Sequence, residues 1–80
     1  MATVHFSRSL RDYTDGVESL TLDAPRVREL LGMLTARFPR LATPLEIMAV
    51  SVDGEIHQEP EFTKLSEDSE VHLVPKIPGG

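Results

Sequence analysis

Cysteine and tryptophan are absent from the sequence, and tyrosine occurs once. Without cysteine the chain can form no disulfide, supply no thiol nucleophile and offer no thiolate to a metal. Basic residues are also scarce: 8 Lys and Arg stand against 13 Asp and Glu, a net charge of −5. Phosphate recognition needs a basic footprint, so nucleic-acid binding is disfavoured. Arg26, Arg28, Arg37 and Arg40 form only a modest basic side to one predicted helix. No apolar run approaches the roughly 20 residues that span a bilayer, and nothing resembles a secretory signal. The expected compartment is therefore the cytoplasm, with no membrane partner.

Catalytic apparatus is missing as well. There is no Gly-rich phosphate-binding loop of the Walker type. The Ser and His residues show no spacing that suggests a nucleophile–base pair. Glu67 and Asp68 are paired carboxylates, but they fall in a polar turn with no pocket implied around them.

What is present is the composition of one small folded domain. With 40% apolar and 26% charged residues the chain is set apart from disordered sequences, and 80 residues suffice for a single core. The opening "ATVHFSR" alternates, with Val4 and Phe6 on one side and His5 and Ser7 on the other, the period of a half-buried strand. "RDYTDG" breaks it with turn formers, and "VESLTL" alternates again with Leu20 and Leu22 on one face.

"DAPRVRELLGMLTARFP" then switches to helical spacing. Val27, Leu30, Leu31, Leu34 and Phe38 form one stripe; Asp23 is the expected N-cap, Pro25 lies in the first turn, and Pro39 ends the helix. "PLEIMAVSVDGEIHQ" reads as a third strand, a tight Asp53-Gly54 turn and a short fourth strand near Ile56. "EPEFTKLSEDSE" reads as a solvated polar loop anchored by Phe62 and Leu65, and "VHLVPKI" as a last strand with Val71 and Leu73 facing the core. The order β-β-α-β-β-β suits an α+β domain, a mixed sheet carrying one helix on one face.

Strict alternation puts Ile47, Ala49, His72 and Val74 on the other face of that sheet. They are either scattered surface residues or an apolar patch for a partner. His5 and His72 fall on the same side if their strands are neighbours, with Glu70 or Glu18 nearby. Structural zinc takes four ligands, and no sequence-close pair of suitable spacing exists here, so no metal site is assigned.

The element order, "VSVDGE" after the helix, and "LSEDSEVHLVPKIPGG" resemble the ubiquitin-like β-grasp family. Within it they resemble the sulfur carriers of the molybdopterin-synthase small-subunit and thiamin-biosynthesis type, the MoaD/ThiS family. The resemblance implies strand order 2-1-5-3-4, a β-grasp domain over residues 1–74 and an extended, flexible tail over 75–80. It implies that Gly80, preceded by Gly79, carries the chemistry. An E1-like, ATP-dependent adenylating enzyme would activate the Gly80 carboxylate, and a persulfide-forming donor would leave a thiocarboxylate. The sulfur would pass to a biosynthetic precursor, with a large synthase subunit as a further partner, in molybdopterin-type rather than thiamin-type chemistry. No cofactor would be held permanently, and the chain would not itself be an enzyme.

A side-chain-free Gly-Gly end can enter a narrow channel, and Pro75 and Pro78 would hold its approach extended. Ile47, Ala49, His72, Val74, Pro75, Ile77 and Pro78 form the implied partner interface. Two features depart from the usual pattern: Asp68 where a Gly is common, and Pro78 directly before Gly79. The ending "VHLVPKIPG" also resembles tail-assembly proteins of lambda-like phages, relatives of the same fold. A non-catalytic assembly factor and a ubiquitin-like protein modifier are the alternative functions.

Overall fold

The computed structural model describes residues 1–57 and 59–75. Two Asp-Gly pairs shape the strand connections. Asp53 (φ 50°) and Gly54 (φ 88°) both take left-handed backbone, which a two-residue hairpin turn of matching twist requires. They join β3 (Met48–Val52) to β4 (Glu55–His57) with Val52 opposite Glu55 and Val50 opposite His57. Asp15 and Gly16 repeat the conformation in the longer connection from β1 (Ala2–His5) to β2 (Ser19–Leu22). That connection also folds a 3-10 turn, Arg8–Leu10, which buries Leu10 completely enough to join the core.

The last strand, β5 (Glu70–Pro75), lies in the middle of the sheet. It runs parallel to β1, with Val4 opposite Val71, and antiparallel to β3, with Val50 opposite Leu73. The order is β2-β1-β5-β3-β4, as the resemblance implies.

One face of the sheet is covered by α1 (Val27–Arg37). Val27, Leu30, Leu34 and Phe38 are buried against Ala2, Val4, Phe6, Val50, Val52, Val71 and Leu73, and Leu31 is partly buried beside them. Phe6 and Phe38 meet edge to face, ring centroids 6.1 Å apart. Helical period and strand alternation thus converge on one core, as the residue pattern requires. Helix α1 ends before Pro39, which opens a 3-10 turn, Pro39–Leu41, and a single further turn, α2 (Ala42–Leu45), absent from the sequence-based order.

The start of α1 corrects one expectation. Asp23 is not the cap; Arg26 occupies that position with no side-chain cap, and Pro25 precedes it. The N–H of Val27 donates to the carbonyl of Thr63 at 3.0 Å, and that of Arg28 to Glu61 at 3.1 Å. The Leu65 N–H returns a bond to the Pro25 carbonyl at 2.9 Å. Backbone of the 59–66 loop therefore satisfies two of the orphan helix donors that a side chain would otherwise take.

The same docking corrects a second expectation. Leu65 packs against the core, but Phe62 is 73% exposed and anchors nothing. The loop is secured by its backbone, and Pro60 within it is buried. The turn entering β5 is closed by Ser66 and Ser69: the Ser66 N–H donates to Ser69 Oγ at 2.8 Å, and Ser69 is buried. Asp68 is not in left-handed backbone, so it meets no conformational need for glycine there.

Candidate functional site

The face of the sheet away from α1 is organised by register. Ser19, His5, His72, Ser51 and Ile56 form one row across all five strands, each opposite the next. Thr21, Thr3 and Glu70 form the adjacent row. On its other side Ala49 lies opposite Val74. The row of His5 and His72 is a true contact: their rings stack with centroids 4.6 Å apart and planes 15° from parallel. His5 Nε2 lies 3.3 Å from Glu70 Oε2. Glu18 is not part of the group; its carboxylate pairs with Arg11 at 3.4 Å.

Each interface residue named from the sequence can be located as far as Pro75. Ile47 sits in the turn before β3 rather than on a strand and is 69% exposed. His72 is exposed and Val74 half-buried on the outer face of β5. Ala49 is 1% exposed, so it is the floor of this face and not an exposed member of a patch. Its methyl group is too short to rise above the flanking strands, and its neighbour Ser51 is sunk in the same way. Pro75 is the last residue of β5, paired with Met48. Ile77, Pro78, Gly79 and Gly80 lie outside the described residues.

Ile56 was missed as a face residue. It is 56% exposed, and the Asp53-Gly54 turn brings it opposite Ser51, so counting register outward from that turn would have found it.

Among the described residues, no three or more His, Asp or Glu side chains converge into a metal-holding group. A cleft of about 170 Å³ lies at the edge of the domain, lined by residues that include Ala24, Leu65 and Ser66. That is below the roughly 300 Å³ at which small-molecule sites begin. No helix among the described residues is long and apolar enough to cross a membrane.

Residues 4–80 match the ThiS family, nearly the whole sequence and the Gly79-Gly80 end with it. The chain belongs to that family. Solved structures of similar fold include a chain of the Amycolatopsis orientalis BexX/CysO complex, with TM-score 0.84, 19% identity and full coverage of both chains. Small archaeal modifier protein 1 of Methanosarcina acetivorans is similar at TM-score 0.81 and 22% identity, over 99% of this chain and 95% of that one. The complex of subunits 1 and 2 of molybdopterin-converting factor from Helicobacter pylori contains a chain with TM-score 0.73 and 20% identity, covering 99% and 97%. No curated protein matches. At these identities the likeness establishes the fold: this ThiS-family chain is a ubiquitin-like β-grasp domain.

Proposed function

We propose that this chain is a sulfur carrier acting through the Gly80 carboxylate, and that it does no catalysis alone. The observation that carries the reading is the ThiS-family match, which runs through Gly79 and Gly80. A carboxylate is a poor electrophile until one oxygen becomes a leaving group. A partner adenylating enzyme of the E1 type supplies that step: the carboxylate attacks ATP, pyrophosphate leaves, and an acyl-adenylate forms. The persulfide of a donor protein attacks the acyl carbon and AMP departs. A thiol then cleaves the resulting S–S bond, being oxidised to a disulfide, and the thiocarboxylate remains on Gly80.

The interface assigned to these encounters is the outer sheet face around Val74 and His72, flanked by Ile47, continuing through Pro75 to Ile77 and Pro78. Ala49 serves as its floor. Residues 75–80 act as the tail that the domain presents. Two of the similar structures are complexes with other proteins, which supports a carrier that works by docking. Molybdopterin-type transfer to a biosynthetic precursor, with a large synthase subunit as partner, is favoured over the thiamin type, supported by the likeness to subunits of molybdopterin-converting factor. ATP is consumed by the partner, no cofactor stays bound to this chain, and the work takes place in the cytoplasm.

The test is mass spectrometry after incubation with the cognate adenylating enzyme, ATP and a persulfide donor. A gain of about 16 Da, one oxygen replaced by sulfur, is the expected result. Removal of Gly80 should abolish the gain and leave the fold intact. An unchanged mass with an enzyme that does adenylate the chain would overturn the reading.

A second reading, covalent attachment to lysines of other proteins, is supported by the likeness to small archaeal modifier proteins of two organisms. Isopeptide-linked adducts ending in Gly80, recovered from cells, would favour it.

A further inference from the structure

The sheet has two edge strands, and they are protected unequally. β4 is three residues long and opens with Glu55, the brevity and charge that discourage a further strand. β2 is the four residues Ser-Leu-Thr-Leu, with no charge, no proline and an unbroken register against β1. The Phe6 N–H donates to the Glu18 carbonyl at 2.9 Å, while the Thr3 N–H turns the other way, to the Ser69 carbonyl at 2.9 Å. Antiparallel bonding alternates along a strand, so Glu18, Leu20 and Leu22 bond toward β1. Ser19 and Thr21 therefore direct their N–H groups and carbonyls outward, where no described strand lies. Leu20 and Leu22 stand opposite Val4 and Ala2, on the helix side of the sheet, and stay half-buried. A free hydrogen-bonding row thus runs beside an incompletely covered apolar strip.

We propose that β2 is a docking edge, separate from the outer sheet face, to which an extended segment of a partner protein adds as a sixth strand. The segment is flanked by Lys or Arg. Backbone pairing to Ser19 and Thr21 attaches it, and its alternate apolar side chains cover Leu20 and Leu22. Charge selects this occupant. Glu18 and Asp23 bracket β2 and are both exposed; Glu18 meets Arg11 at 3.4 Å yet keeps 75% of its side chain in solvent. A second copy of the chain fits less well. The antiparallel register that uses both outward residues sets Ser19 against Thr21 and brings Glu18 of each copy to the Asp23 end of the other. Each copy also carries a net charge of −5, which opposes self-pairing and attracts a cationic segment. Because β1 separates β2 from β5, this edge can be held while the outer face around Val74 is engaged elsewhere.

The experiment needs only the full isolated chain and therefore stands apart from any sulfur chemistry. The probe is acetyl-KVTVTVK-amide, titrated while amide ¹H–¹⁵N spectra and amide hydrogen exchange are recorded. The expected result is saturable one-to-one binding that shifts the Ser19 and Thr21 amides and slows their exchange. The Ile56 amide, on the opposite edge, stays in place. Acetyl-EVTVTVE-amide should bind about tenfold more weakly or worse, as two exposed ion pairs become repulsions. Thr21→Pro removes an outward N–H that β1 does not use, so the sheet should hold while binding falls about tenfold or more. A Lys-flanked peptide N-methylated along its pairing edge tests the same point on unaltered protein, and it should not bind. The proposal is overturned if the first peptide leaves Ser19 and Thr21 unmoved at millimolar concentration. It is equally overturned if the N-methylated or Glu-flanked peptide binds as tightly. Concentration-dependent shifts of those two amides without peptide would give the edge to a second copy, and that also overturns it.

Discussion

Asp53 and Glu70 hold each other's backbone. The Asp53 N–H donates to the Glu70 carbonyl at 2.8 Å, and Asp53 Oδ1 accepts from the Glu70 N–H at 2.8 Å. One residue thus sets the hairpin turn between β3 and β4 and fixes where β5 enters the sheet. Asp53→Ala loses the side-chain bond and puts alanine in left-handed backbone. We expect a loss of about 1–2 kcal/mol, measured by urea unfolding. Asp53→Asn keeps both the acceptor and the tolerance for positive φ, so it should recover most of that loss.

Leu34 is fully buried at the centre of the helix–sheet contact. Leu34→Ala should cost about 2–5 kcal/mol, by lost transfer energy and the cavity left behind. Against the 5–15 kcal/mol typical of a whole domain, that is enough to lower the urea midpoint severely.

Phe62 and Leu65 should behave oppositely despite being three residues apart. Phe62→Ser is expected to leave stability within about 0.5 kcal/mol, because the ring is already in solvent. Leu65→Ala should lower it measurably, since that side chain packs on the core. Thermal melts of the two variants side by side decide this, and equal losses would contradict the loop geometry.

These contrasts show what residue pattern does and does not convey. The stripe Val27, Leu30, Leu34, Phe38 and the alternation of Val4, Val71 and Leu73 were legible, because burial demands a period and the sequence supplies it. The Asp53-Gly54 turn was legible because few residues accept positive φ. The cap of α1 was not: its acceptors are the carbonyls of Glu61 and Thr63, and every residue type has a carbonyl. Ala49 was misread as exposed because alternation tells which face a residue is on, not how far it rises above its neighbours. The central place of β5 came from family resemblance, since periodicity alone carries no strand order.

For the outer face, Val74→Asp and Ile47→Asp separate docking from folding. Ile47 is exposed in a turn, so its substitution should change stability by no more than about 0.5 kcal/mol. On the proposed function, both variants are expected to weaken binding to the adenylating enzyme about tenfold or more, as charge would enter a desolvated contact. Isothermal titration against that enzyme, with amide spectra confirming the fold, measures the effect. Full affinity in both variants would move the interface elsewhere.

The position of β5 has a bearing on synthesis. A ribosome releases this chain from β1 toward β5, yet β5 is the strand to which both β1 and β3 must bond. Until it emerges, β1–β2 and β3–β4 are two separate hairpins with no seam between them. A prematurely terminated chain therefore cannot close its sheet, and it exposes apolar strand edges that mark it for degradation. The segment that continues from β5 is therefore synthesised only after the strand that closes the sheet.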